Sequence, residues 1–192
     1  MATTPTPKPS SGLPPEVYAI YCGGIEQANS QKVVNSLTVA MASKVAHVHL
    51  LFQSAGGYIA DGVFLYNLFR SVTIELTLYN AGQISSAGVT AYLGAKHRKT
   101  TTNATFMLHR STNSPQFATA AKLSHAAKSL VLDDGRTEEI VRSHVNFPPE
   151  LWDSLAYHDI YVSGKEAVEF GLADSIGEFS PPLGTQVFNL LA

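Results

Sequence analysis

Short apolar blocks alternate along this chain with amphipathic stretches of helical period. Residues 16–22 (EVYAIYC), 44–52 (KVAHVHLLF), 72–79 (VTIELTLY) and 104–108 (ATFML) are rich in β-branched and aromatic residues and predict buried strands. Residues 25–43 carry Val33, Val34, Leu37, Val39 and Ala40 near helical spacing, and residues 58–71 carry Ile59, Val63, Phe64, Tyr66, Leu68 and Phe69 likewise. Both predict helices with one apolar face. The small residues 89–95 predict a short helix, and residues 96–100 a polar link. Residues 117–145 read as a long helical stretch that Asp133-Asp134-Gly135 is expected to interrupt, because glycine costs about 1 kcal/mol inside a helix. Pro149 can open a short helix to Leu155, with Trp152 as a core residue. Residues 157–162 predict a final strand. Ser163 and Glu166 have the spacing of a capping box, and Gly171 is a natural helix stop.

Strands and helices thus alternate, which predicts an α/β domain with a mainly parallel sheet and right-handed crossovers. Its expected span is 16–180, between an N-terminal arm at 1–15 and a tail at 181–192. The arm's Thr, Pro and Ser content predicts disorder, and it lacks the basic start and apolar core of a secretory signal. Val187, Phe188, Leu190 and Leu191 give the tail an apolar side that could pack on the body or on a neighbouring subunit.

Composition narrows the function. A chain of 192 residues suits one domain, and a 45% apolar fraction is ordinary for a globular protein. The formal net charge of −2 gives no reason to expect nucleic acid or an anionic membrane surface as partner. No apolar run approaches the roughly 20 residues that span a bilayer. Cys22 is the single cysteine, so no internal disulfide framework exists, and a reducing, cytoplasmic setting is expected.

The candidate chemistry centres on Gly82-Gln83-Ile84-Ser85-Ser86-Ala87-Gly88, a turn between a strand and a helix. Backbone N–H groups in a first helical turn have no partner inside the helix and can receive an oxyanion. Ser86 there is a candidate nucleophile, although Ile84 breaks the hydrolase pattern G-x-S-x-G. His109 follows the strand at 104–108, at the strand end where α/β folds place functional groups. A third group, a carboxylate to orient that histidine, has five candidates: Asp133, Asp134, Asp153, Asp159 and Asp174. A rigid strand favours Asp159, with Asp153 and Asp174 left open. Asp133, Asp134, Glu138 and Glu139 read as a solvated helical face. Gln53-Ser54-Ala55-Gly56-Gly57 matches neither the G-x-x-x-x-G-K nor the G-x-G-x-x-G pattern, so no nucleotide cofactor is expected. A glycine N–H there can still serve as an oxyanion donor. His47 and His49 have a spacing that could ligate a metal, but no third ligand lies near them in sequence. Packed strand histidines are the simpler reading, and no metal is expected.

Four segments together resemble the proteolytic subunit of Clp protease, a serine peptidase family with the spiral fold shared with crotonases. Gln53-Ser54-Ala55-Gly56-Gly57 is similar to that family's serine-proline-glycine-glycine loop, with Ala55 for proline. Residues 82–88 are similar to its nucleophile motif, which ends serine-methionine-glycine. Met107-Leu108-His109 is similar to its methionine-isoleucine-histidine, and residues 159–176 to the segment that holds its aspartate and following helix. The resemblance spans roughly 16–178. It implies a ClpP/crotonase-like spiral of repeated β-β-α or βαβ units with a protruding helical segment. It also implies Ser86 as nucleophile, His109 as base, Asp159 as orienting carboxylate, and the N–H groups of Gly57 and Ala87 as oxyanion hole, with Ser85 as a helix cap. By the same resemblance the substrate is polypeptide, the assembly a homo-oligomeric ring, and an AAA+ unfoldase a candidate partner, with no cofactor. Arg110-Ser111-Thr112-Asn113-Ser114-Pro115, the long helix and the N-terminal arm depart from the family's pattern. A crotonase-like acyl-CoA enzyme using the same oxyanion donors, and a non-catalytic assembly subunit, are the alternatives.

Overall fold

The computed structural model describes residues 12–114 and 116–192. Its elements in order are β1 (Glu16–Cys22), α1 (Gln27–Ala42), β2 (His47–Gln53), α2 (Ile59–Ser71), β3 (Glu75–Asn80), β4 (Gln83–Ser85), α3 (Ala87–Leu93), β5 (His97–Thr100), β6 (Thr105–Leu108), α4 (Ala120–His144), α5 (Pro149–Leu155), β7 (Ile160–Ser163), α6 (Gly164–Glu169), β8 (Ser175–Ile176) and β9 (Val187–Asn189). A six-stranded sheet runs β8-β5-β3-β2-β1-β9, with every pairing parallel. A second sheet, β4-β6-β7, pairs β4 with β6 in parallel and β6 with β7 antiparallel. The α/β expectation with a mainly parallel sheet is met.

The large sheet buries one face under helices. Alternate β2 residues Val48, Leu50 and Phe52 are buried, and they join Val33, Leu37 and Ala40 of α1 and Leu65 and Phe69 of α2 in one core. Tyr21 lies in the same core and its hydroxyl donates to the Gly24 carbonyl. Burial, reinforced by the nearby Glu26 charge, raises its pKa to about 12. On the opposite face the rings of Tyr18, His49 and His47 stack in a row, and Phe179 meets Tyr18 and Tyr79 edge-on. His47 and His49 are packed strand histidines, bonded to the hydroxyls of Thr77 and Tyr79 at 2.8 Å each.

Several sequence expectations change. Residues 97–100 form β5, not a polar link, because β3 and β8 flank them and satisfy their backbone. Gly135 does not interrupt the long helix. Helix α4 is continuous over 25 residues, with Asp133 paired to Arg136 and the Thr137 hydroxyl donating to the Asp133 carbonyl across the glycine. Only Val141 of α4 is buried, so this helix is the protruding segment. Strand β2 begins at His47, since Lys44 takes a positive φ of 58° in the preceding turn. The arm falls partly on residues 1–11, which lie outside the described residues. Leu13 packs on the core, and the Pro15 carbonyl accepts from Ala46 and His47. The tail packs on the body as edge strand β9, with Phe188, Leu190 and Leu191 against the core. Trp152 is half-buried, edge-on to Phe147 and capped by the Arg142 guanidinium 3.8 Å from its ring centre. The capping box forms as expected, with Ser163 and Glu166 exchanging side-chain-to-backbone bonds. Among the described residues no helix is long and apolar enough to cross a membrane.

Three packed histidines set a pH dependence. Burial lowers the pKa of His47, His49 and His144; neighbouring His97 and His47 charges add to the effect on the first two, and Arg98 and Arg70 on the third. Glu16 opposes it at His47 and His49, and Asp174 at His144. The unfolded chain takes up these protons near pH 6.5, the folded chain only at lower pH. Between those values the unfolded state binds more protons, so stability falls as pH falls. The melting temperature is expected to drop from pH 7.5 to 5.5. His49→Gln, which can still bond Tyr79, should flatten that slope; an unchanged slope would contradict the assignment.

Candidate active site

Strand β4 delivers Ser86 into a turn that local sequence alone would not support. Ser86 has φ 54° and ψ −128°, a conformation that side chains rarely adopt. It persists because the flanking backbone is tied on both sides. The Ser86 N–H donates to the Met107 carbonyl at 2.8 Å, and the Ser85 N–H donates to the Ser54 carbonyl at 2.9 Å. The result is an elbow at the N-terminus of α3, although the sequence lacks the first glycine of the usual pattern. Ser86 occupies the N-cap position, yet its hydroxyl makes no capping bond. The hydroxyl instead lies 2.8 Å from Nε2 of His109. Ser85, expected as the cap, is buried within β4 and accepts from the Gln83 amide at 3.0 Å. Its place inside the short strand leaves the cap position to its neighbour.

The Ser54–Gly57 loop closes over the serine. Ser54 Oγ accepts from the Gly56 N–H at 3.1 Å and fixes the turn. Gly56 has φ +92°, and a Cβ there would sit 2.6 Å from the Ser86 Cβ. Gly57 follows with φ +153° beside Ile25. The bridge between Ile25 and Gly57 uses the Gly56 carbonyl and the Tyr58 N–H. The Gly57 N–H therefore has no backbone acceptor among the described residues. The Ala87 N–H, at the first position of α3, has no acceptor inside the helix, as in any first helical turn.

Strand β6 ends at Leu108 and hands on His109. Strand β7 pairs with it antiparallel, with Leu108 opposite Ile160. That pairing stops there, so His109 and Asp159 each lie one residue beyond the last paired position, and no hydrogen bond joins them among the described residues. Asp159 is exposed, and the one side-chain hydrogen bond of His109 among the described residues is to Ser86. Three of the other carboxylates are engaged elsewhere. Asp133 pairs with Arg136, Asp174 with Arg98, and Asp134 accepts from the Ser111 N–H. Asp153 lies exposed on α5.

A cavity of about 50 Å³ opens beside Ser86 and His109. Thr90, Leu108, Val141 and Leu155 give it an apolar lining, and Arg110 and Glu138 a polar one. Sequence reasoning read Asp134 and Glu138 as a solvated helical face, kept Asp134 only as one of five carboxylate candidates, and gave Arg110 and Ser111 no role at the site. Arg110 and Glu138 are joined at 2.6 Å, and Glu138 also accepts from Arg142 at 2.7 Å. Burial alone would raise the Glu138 pKa, but the bonds from Arg142 and Arg110 outweigh it and hold the group below the usual range. No local signal marks these residues, because the contact spans more than 20 positions of chain.

A serine hydroxyl within hydrogen-bond reach of an imidazole, at the start of a helix, is an arrangement suited to acyl transfer. The comparisons with known proteins agree. The family model described as Clp protease matches residues 11–180. An ATP-dependent Clp protease proteolytic subunit 2 from Pseudomonas aeruginosa is 23% identical over 156 residues, 80% of this chain and 77% of that protein. A proteolytic subunit 3 from Rhizobium johnstonii is 22% identical over 156 residues, 80% of each. The solved structure of a ClpP1 point mutant from Listeria monocytogenes shares the fold with a TM-score of 0.73. It is 20% identical, across 85% of this chain and 91% of that one. With a family match over most of its length and a serine–histidine pair seated where that match lies, the chain belongs to the Clp protease family of serine peptidases.

Proposed function

We propose that this chain is a serine endopeptidase that hydrolyses unfolded polypeptide in the cytoplasm, inside a ring of its own copies. The observation that carries the reading is the 2.8 Å contact between Ser86 Oγ and His109 Nε2 at a strained elbow. His109 takes the Ser86 proton as the hydroxyl attacks the scissile carbonyl. The N–H groups of Gly57 and Ala87 receive the oxyanion. His109 then passes the proton to the leaving amine, and water repeats the sequence on the acyl-enzyme. Asp159 orients the imidazole; its place one residue beyond the end of the β6–β7 pairing, as His109 is on the other strand, and the engagement of Asp133, Asp134 and Asp174 support that role. The names of the relatives, which are ATP-dependent, support an ATP-driven unfoldase as the partner that supplies extended chain.

The test is cleavage of a fluorescently labelled, permanently unfolded polypeptide by the purified chain, and of the same substrate by His109→Ala. Cleavage by wild type and its loss in the variant support the reading. Equal cleavage by both would contradict it. Asp159→Asn should keep the fold but lower kcat by about 10²- to 10⁴-fold, because an amide no longer stabilises the imidazolium. Full activity in that variant would remove Asp159 from the site.

A further inference from the structure

The polypeptide that follows His109 does not leave the site freely. Arg110 Nη1 pairs with Glu138 Oε2 at 2.6 Å, and the Ser111 N–H donates to Asp134 Oδ1 at 2.7 Å. Asp134 and Glu138 are four residues apart on α4, so both project from one side of that helix. Glu138 is held in turn by Arg142, and the Asp134 carbonyl accepts from Thr137. The C-terminal end of α4 is fixed separately. His144 bonds Tyr66 Oη at 3.0 Å and Arg98 at 3.1 Å, and Arg98 pairs with Asp174 at 2.6 Å. The segment after the base is thus clamped to a helix that is itself anchored to the body. The rest of that helix contributes little to the core.

We propose that Asp134 and Glu138 are positioning residues that hold Arg110 and Ser111 so that His109 Nε2 stays within reach of the Ser86 hydroxyl. The proposal rests on the peptidase reading above. It follows from the geometry of restraint. His109 sits one residue past the end of β6, where ladder hydrogen bonds no longer fix the backbone. The Ser86 contact restrains only the far side of its ring. A displacement of about 1 Å at a reacting group can lower a rate about 10²-fold, and the two clamp contacts oppose such a displacement on the backbone side. The clamp also makes the place of the base depend on where α4 lies.

The experiment measures steady-state hydrolysis of a fluorogenic peptide and the second-order rate of modification by a fluorophosphonate. It compares wild type, Asp134→Ala, Asp134→Asn and Arg110→Met, with the melting temperature of each. Asp134→Ala should lower kcat and the modification rate together by about 10- to 100-fold, with KM within about twofold. Asp134→Asn keeps an acceptor oxygen for the Ser111 N–H and should recover to within about threefold of wild type. Arg110→Met opens the other half of the clamp without altering α4. It should show the same kcat-selective loss, and it decides the matter if Asp134→Ala does not fold. Wild-type modification rates in both Asp134→Ala and Arg110→Met would overturn the proposal. So would an Asp134→Asn loss as deep as that of Asp134→Ala, since only the charge would then matter. A wild-type chain that neither cleaves peptide nor takes the phosphonate would instead overturn the peptidase reading, and the positioning role with it.

Discussion

Ser86→Ala is expected to reduce peptide hydrolysis by about 10⁴- to 10⁶-fold, the range in which removing a nucleophile leaves only the oxyanion donors and binding. The effect should be confined to chemistry. Ser86 makes no capping bond, so its hydroxyl contributes little to α3. Its unusual backbone is held by the N–H donated to Met107, which alanine keeps. The melting temperature should therefore stay close to wild type, and substrate should still bind. The neighbouring Ser85→Ala gives the contrast. Ser85 is buried and accepts from Gln83, so this change should lower stability by about 1 kcal/mol. It should leave hydrolysis within about threefold, because Ser85 does not face His109. Activity measured alongside melting temperature separates the two serines.

Gly56→Ala should lower activity by about 10²- to 10³-fold, the loss expected when the proposed donor on the adjoining Gly57 is displaced. The new Cβ would lie 2.6 Å from the Ser86 Cβ and 2.9 Å from the Ser85 carbonyl oxygen. Neither neighbour is the far end of a flexible side chain, so the loop or the elbow must move. The φ of +92° adds strain for any residue with a Cβ. Gly57→Ala meets the same fate, because its Cβ would overlap the Ile25 carbonyl. Gly135→Ala provides the control. A Cβ there meets nothing within 4 Å and the backbone is helical, so the change should stabilise the chain by about 1 kcal/mol with no loss of hydrolysis. Peptide hydrolysis and thermal unfolding of the three variants check the ordering. An active Gly56→Ala would mean that the loop does not press on the serine as described.

Much of this was legible in the sequence where a signal is local. The strands at β1, β2, β3 and β6 carry β-branched and aromatic runs whose burial follows from composition. The capping box of α6 is written in Ser163 and Glu166 alone. The turn at 82–88 points to Ser86 because glycines and a helix start converge there. The short polar or terminal strands were not legible. His97-Arg98-Lys99-Thr100 becomes β5 because two partner strands flank it, and partners are a property of the fold. Gly135 misled for the opposite reason. Its local penalty is real, but the Asp133–Arg136 pair and the Thr137 bond span it. Asp134 and Glu138 looked like solvated helical charges, and nothing nearby shows that they reach the residues after His109. The sequence reading put Ser86 as nucleophile and Ser85 as helix cap, and the fold changes the second: Ser86 itself sits at the N-cap position and Ser85 lies within β4. Ser85 is buried in β4, whereas the positive-φ turn at Ser86 brings its hydroxyl to the histidine.

The most direct measurement of the central chemistry is intact mass after incubation with a fluorophosphonate, on wild type and on Ser86→Ala, Ser85→Ala and His109→Ala. The expected result is one adduct on wild type and on Ser85→Ala, none on Ser86→Ala, and a much reduced yield on His109→Ala. An adduct that persists in Ser86→Ala, or a wild-type chain that takes none, would contradict an activated serine at this elbow.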